Sequence, residues 1–144
     1  MKKIILFSLI ALSFWCCDRK TSNNLTFVSL EETNKDFRTF FDRFHSDSLY
    51  QIQHLANPVL GIPSMVKDES LLDGSYVWPR ESWVMHKPFN NIGDEYSRNY
   101  IVVDKNNIIE NIKHNVSNFG MERRFTKKNG EWYLNYYAGM NMMN

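Results

Sequence analysis

The chain has 144 residues, with 17 Lys and Arg against 16 Asp and Glu and a formal net charge of +1. That balance leaves no basic footprint for nucleic acid. The two cysteines, Cys16 and Cys17, stand side by side near the start. Their position excludes a disulfide framework, a Cys-ligated zinc and a cysteine nucleophile in the rest of the chain.

Met1-Lys2-Lys3 is a short basic start, and residues 4–15 form an apolar run without a charge. That run is shorter than the roughly 20 residues a membrane-spanning helix needs, and it suits the core of a secretory signal. The chain turns polar at Cys16-Cys17-Asp18. A signal that ends at a cysteine is the layout of a bacterial lipoprotein precursor, which predicts removal of residues 1–16 and acylation of Cys17. Phe14 and Cys16 stand three and one positions before Cys17, a better fit to such a site than Ser13 and Trp15 before Cys16. Loss of Lys2 and Lys3 removes the small positive excess, so the expected partner is a membrane reached through lipid, not through a charged surface. The expected location is the cell envelope, periplasmic or surface-exposed. Residues 17–33 are polar and read as a flexible tether. One domain is expected over residues 34–139, with 140–144 a frayed tail.

Within the domain, residues 34–45 carry the best helix. Phe37, Phe40, Phe41 and Phe44 fall at i, i+3, i+4 and i+7 and make one stripe of rings, which needs a large apolar partner such as a sheet. Thr33 or Asn34 can cap this helix, with Asp36 in its first turn. Ser48-Leu49-Tyr50-Gln51 has capping-box spacing and predicts a short second helix. Pro58, Gly61 and Pro63 mark its exit or that of a short strand, and residues 64–75 read as loop with one helical turn.

The second half reads as strands. Residues 75–86 hold Tyr76, Trp78 and Trp83 around Pro79; residues 100–103 form a compact apolar strand that 104–107 turn. Residues 108–116 fit a helix through Ile109 and Ile112, or a strand with Ile108, Glu110, Ile112 and His114 on one face. Asn129-Gly130, between residues 119–127 and 131–137, is a hairpin signal because both turn residues take positive φ. Along the last strand Trp132, Leu134 and Tyr136 are expected on one face, with Tyr133, Asn135 and Tyr137 on the other. The sum is an α+β fold. N-terminal helices pack across the concave face of a curved antiparallel sheet, giving a cone with a cavity at its wide end.

Phe37-x-x-Phe40-Phe41-x-x-Phe44, Asp47-Ser48-x-x-Gln51 and Asn129-Gly130-x-Trp132-x-Leu134, in that order behind a lipoprotein leader, resemble a Bacteroidetes putative lipoprotein family. The family is catalogued as domain of unknown function 4348, and the likeness spans roughly residues 35–138. It implies a fold similar to nuclear transport factor 2. Where the family follows its Asp-Ser helix with a Phe-Pro-Leu strand, this chain has Ala56-Asn57-Pro58-Val59. The family has no established activity, so no catalytic residue is carried over.

The candidate sites come from residue types. His45, His54, His86 and His114 are scattered and make no metal-ligand pattern, so no metal or cofactor is expected. Tyr50, Trp78, Trp83, Tyr96, Tyr100 and Trp132 are aromatic candidates to line a cavity, since their faces supply area and their tips one oriented hydrogen bond; packing the cone is their plainer role. Asp47, His54 and Asp104 are the acid–base candidates, with Tyr50 as an oxyanion donor. Asp47 also suits a helix cap. Asp47-Ser48-Leu49 matches a short O-glycosylation acceptor pattern at Ser48, where capping explains the same serine. Met140, Met142 and Met143 could hold a soft metal but read as tail. There is no phosphate-binding glycine loop and no Gly-x-Ser-x-Gly elbow. The expected function is a lipid-anchored envelope domain that binds a small molecule, a glycan or an envelope protein. The alternatives are a small acid/base enzyme of the isomerase or dehydratase type and a structural accessory subunit.

Overall fold

A computed structural model describes residues 26–89 and 93–143. The predicted signal at 1–16, the acylated Cys17 and the first part of the tether lie outside the described residues. In chain order the elements are β1 (Phe27–Val28), α1 (Lys35–Ser46), α2 (Ser48–Gln53), β2 (Leu55–Ile62), β3 (Tyr76–Trp78), β4 (Tyr96–Asp104), β5 (Asn107–His114), β6 (Phe119–Lys128) and β7 (Glu131–Met142), with single 3-10 turns at Leu30–Glu32, Glu69–Leu71 and Arg80–Ser82. The strands make one curled sheet in the order β1-β4-β5-β6-β7-β2-β3.

The core follows from the phenylalanine stripe. Phe37, Phe40, Phe41 and Phe44 are all buried on α1. Phe125 of β6 meets each of their rings at centroid distances of 5.4, 5.8, 6.0 and 5.9 Å, three near-perpendicular and one at 66°. Phe37 also packs edge-on against Tyr100 of β4 and Trp132 of β7. Burying each such ring contributes roughly 1.5–3 kcal/mol. The helix therefore lies across the sheet as its pattern requires, and the α+β architecture stands.

Several finer expectations are corrected. The sheet is not a pure antiparallel meander: β2 runs parallel to β7, with a register shift between Leu55 and Leu60. The end of the tether is structured, because Phe27 and Val28 pair with Ile101 and Tyr100 and so supply an edge strand. The Arg38 guanidinium then ties the carbonyls of Glu31 and Thr33 to α1. The tail is not frayed through residues 140–142. β7 continues to Met142 opposite Phe119, and the buried Asn141 amide donates to the Pro63 carbonyl at 2.7 Å. Residues 108–114 resolve as strand, with Ile108, Glu110 and Ile112 all buried. Burial of that alternate set against α1 outweighs the competing helical spacing.

The last strand does not keep its predicted faces. The hairpin forms as expected, with Asn129 at φ 52° and Gly130 at φ 88°. Between the pairs Phe125↔Leu134 and Arg124↔Tyr136, however, β7 has one residue more than β6. This bulge reverses the alternation. Tyr136 is turned outward beneath the Arg124 guanidinium, and Tyr137 is turned inward to pack on the core.

Candidate functional site

Tyr137 is the centre of the candidate site because the bulge points it inward. Pro79 stops β3 after Trp78, and the chain then crosses the open end of the sheet without strand pairing through residues 83–89. One side chain holds this crossing segment. Gln51, fully buried at the end of α2, donates from Nε2 to the carbonyls of Phe44 (2.6 Å) and His86 (2.8 Å). Its Oε1 accepts from Trp83 Nε1 (2.9 Å) and from the His86 amide (2.7 Å). The predicted Ser48–Gln51 capping box is thereby corrected. Asp47 caps α2 instead, accepting from the Tyr50 amide at 3.0 Å, and frees Gln51 to point inside.

Trp78 Nε1 donates to the Tyr137 carbonyl at 2.8 Å. The Trp78 and Tyr137 rings lie 4.9 Å apart, His86 and Tyr137 4.3 Å, and Trp83 and His86 4.5 Å. These rings, with Tyr76 and Ser64, line a cleft of about 340 Å³. A second cavity of about 290 Å³ lies on the other side of His86 and Tyr137, bounded by Met85, Phe89, Met121 and Arg123. Both indole N–H groups are used internally, so the aromatic faces are what the cleft offers.

Beneath the second cavity is a buried charge cluster. Glu110 of β5 and Arg123 of β6 face each other in register and are both fully buried. Arg123 Nε donates to Glu110 Oε2 at 2.6 Å. Tyr100 OH donates to Glu110 Oε1 at 3.4 Å, and Arg98 Nε forms an ion pair with the same oxygen at 3.4 Å. Arg123 Nη1 donates to His45 Nε2 at 2.7 Å, while His45 Nδ1 donates to the Phe41 carbonyl at 2.8 Å. Burial, reinforced by the Arg123 charge, holds the His45 imidazole neutral by lowering its pKa to about 3. Burial lowers His86 to about 3 as well, again with Arg123 beside it. Burial, with Glu110 alongside, raises the Tyr100 phenol above its usual range. Arg123 Nη2 and His86 Nδ1 have no hydrogen-bond partner among the described residues. A buried donor left in that state costs about 1–3 kcal/mol, so its position calls for a reason.

The structure separates the predicted site residues. Trp78 and Trp83 share the cleft. Tyr100 and Trp132 are core residues, and Tyr96 lies apart, edge-on to His114 at 5.1 Å. Tyr50 stacks on His54 at 3.7 Å, with the Arg43 guanidinium 4.1 Å from its ring centre. The acid–base candidates do not converge. Asp47 caps α2. Asp104 accepts from the Asn106 amide at 2.7 Å in an exposed turn, and that bond, with those from Asn107, lowers its pKa. Neither borders the cleft. Ser48 is exposed at the first residue of α2. Among the described residues no group of three or more His, Cys, Asp or Glu is placed to hold a metal. A larger open groove of about 640 Å³ runs along α1 past Asp36, Phe40, Tyr50 and Trp132. Its two acids are occupied, since Asp36 binds Lys127 Nζ and accepts from Trp132 Nε1 at 3.2 Å, and Glu131 accepts from Tyr133 OH at 2.8 Å; the Lys127 bond lowers the Asp36 pKa.

Glu110, Arg123, Gln51, His86 and Tyr137 escaped the sequence reading as site residues. A signal existed for two of them: Glu110 sits between Ile108 and Ile112, and Arg123 between Met121 and Phe125, each a charge on an apolar strand face. Tyr137 depends on the bulge, which carries no such mark.

The family described as "Domain of unknown function (DUF4348)" matches residues 19–139. Among solved structures, the chain is similar to an NTF2-like protein from Bacteroides fragilis, at 20% identity and a TM-score of 0.53. The alignment covers 78% of this chain and 50% of that one, so the present chain spans about half the length of its neighbour. The likeness is one of fold: helices on a curled sheet of the NTF2-like kind. No curated protein matches.

Proposed function

From the premise that the chain belongs to the family described as domain of unknown function (DUF4348), we propose that it is a ligand-binding domain held at the cell envelope by acyl chains on Cys17. The observation that carries the binding reading is the pair of cavities meeting at His86 and Tyr137. Their walls set aromatic and apolar faces beside a smaller number of polar groups, as small-molecule sites usually do. Flat faces at Trp78, Trp83 and Tyr137 suit a sugar ring, a sterol or an aromatic group. The acid/base alternative loses its candidates, because Asp47 and Asp104 are engaged in caps and turns and Glu110 is enclosed by Arg98, Tyr100 and Arg123. Support for the anchor is the basic, apolar, cysteine-ended start of the sequence.

Tryptophan fluorescence of the full-length chain in detergent, titrated with a panel of glycans, sterols and aromatic acids, tests the binding reading. A member of the panel is expected to shift the emission, and Tyr137→Ala to weaken that response. A response that survives Tyr137→Ala and Trp78→Ala unchanged refutes the location. For the anchor, Cys17→Ser is expected to stop processing and release the chain from membranes. Unchanged sedimentation, with Cys16 equally dispensable, refutes it.

A further inference from the structure

The second cavity is bordered by a residue whose donor the fold itself does not use. Arg123 has no exposed side-chain surface, yet its Nη2 lacks a partner among the described residues. The guanidinium cannot turn to find one. Glu110 holds Nε at 2.6 Å and His45 holds Nη1 at 2.7 Å, so the plane of the fork is fixed from two sides. Arg123 borders the 290 Å³ cavity, and so does His86, whose Nδ1 is likewise unpartnered. Two separate elements, β6 and the crossing segment, thus bring residues with unused, buried polar atoms to the border of one space.

The remaining lining chooses the guest. Met85, Pro88, Phe89 and Met121 are apolar, the Tyr137 ring adds a flat wall, and no Asp or Glu among the described residues lines the cavity. Lys87 is also part of the lining. Charge points the same way. Two guanidiniums, Arg123 at 2.6 Å and Arg98 at 3.4 Å, share the single carboxylate of Glu110, which leaves the cluster cationic by one charge. Arg98 also donates to the Phe89 carbonyl and so fixes that side of the cavity. A single guanidinium nitrogen left over, beside apolar walls, matches one carboxylate oxygen better than a phosphate, which asks for more donors.

We infer that this cavity takes the carboxylate end of a small apolar acid, seated on the Arg123 Nη2 edge beside His86, with the apolar body running past Tyr137 toward the Trp78–Trp83 cleft. The inference rests on the proposal that the cleft binds a ligand, and it supplies the ligand's chemical class.

Three probes of similar size and different charge test it: benzoate, benzyl alcohol and benzylammonium, each titrated calorimetrically into the full-length chain in detergent. Benzoate is expected to bind about tenfold or more tightly than benzyl alcohol, the discrimination of one charge-assisted contact, and benzylammonium not at all. Met85→Trp fills the cavity from the crossing segment without replacing Arg123, and is expected to abolish benzoate binding while leaving the far-ultraviolet dichroism and the cooperative melting of the fold in place. Arg123→Lys keeps the charge and loses the fixed Nη2 donor; it is expected to bring benzoate down to the level of benzyl alcohol. Should that variant not fold, Met85→Trp decides. Equal affinity for benzoate and benzyl alcohol overturns the inference while leaving the cleft as a binding site. So does benzoate binding that Met85→Trp does not change, or silence from all three probes while the wider panel responds. Silence from both sets fails the broader proposal as well.

Discussion

Mild acid should destabilise this protein, and the reason lies with two histidines. His45 is wedged between the Phe41 carbonyl and the Arg123 guanidinium, with Glu110, Arg98 and Tyr100 in the same cluster. Its Nε2 accepts a hydrogen bond from a cation, so a proton there would set two positive groups against each other at 2.7 Å. Burial and the Arg123 charge lower both His45 and His86 from 6.5 to about 3. The unfolded chain takes up these protons near pH 6.5, and the folded chain only near pH 3. Between those values the unfolded state binds more protons, so stability is complete above pH 6.5 and falls as the pH is lowered, by about 1.4 kcal/mol per pH unit for each histidine. At pH 5 the loss is about 2 kcal/mol per histidine, or about 4 kcal/mol for the pair, against a total of roughly 5–15 kcal/mol for an ordinary domain. Urea unfolding at pH 7.5, 6 and 5 measures it, with the slope m serving as a check that the same transition is followed. H86Q should remove about half of the pH dependence. Midpoints that stay level from pH 7.5 to 5, or a His45 ring resonance titrating near 6.5 in the folded protein, would refute the argument.

Three substitutions probe the rest of the interior. Glu110→Gln strands Arg123 as an unbalanced buried cation and is expected to cost about 3–5 kcal/mol in chemical denaturation, whereas a change below 1 kcal/mol would mean that solvent reaches the pair. Phe125→Ala removes the ring on which all four α1 phenylalanines converge; a loss of about 3–5 kcal/mol is expected from the same assay. A methyl group on Gly61 would collide with the Tyr137 carbonyl across the parallel β2–β7 pair. Gly61→Ala should therefore lower the melting temperature and speed hydrogen exchange at residues 60–62, and wild-type exchange in that variant would count against the pairing.

The parts of the fold governed by local pattern were legible in advance. Four phenylalanines at helical spacing require a broad apolar partner, and Asn129-Gly130 allows few turns other than the one that forms. Long-range competition hid the rest. Whether β7 pairs parallel with β2 is decided between segments some eighty residues apart, and no local propensity encodes it. The bulge at Asn135 is likewise a property of two strands together, yet it decides which of Tyr136 and Tyr137 faces the cavity. The site residues were half legible. Trp78 and Trp83 stood out by size, and both line the cleft. Tyr100 and Trp132 stood out equally and serve the core, because size alone does not say which face of a strand looks at the helix. Glu110 and Arg123 were readable as charges on apolar strand faces, but only their register shows that each is the other's partner.

Gln51 gives the molecule a constraint that outlasts any single ligand. Its amide gives two hydrogen bonds and receives two, and nothing is left over. Glutamate has no hydrogens to give, leucine has neither gift nor receipt, and asparagine falls short by a methylene. Position 51 and the stretch from 83 to 86 are thus bound to vary together over generations. A descendant that abandons this glutamine must remodel the opposite wall in the same lineage, and what its hollow can admit changes through a residue that never borders it.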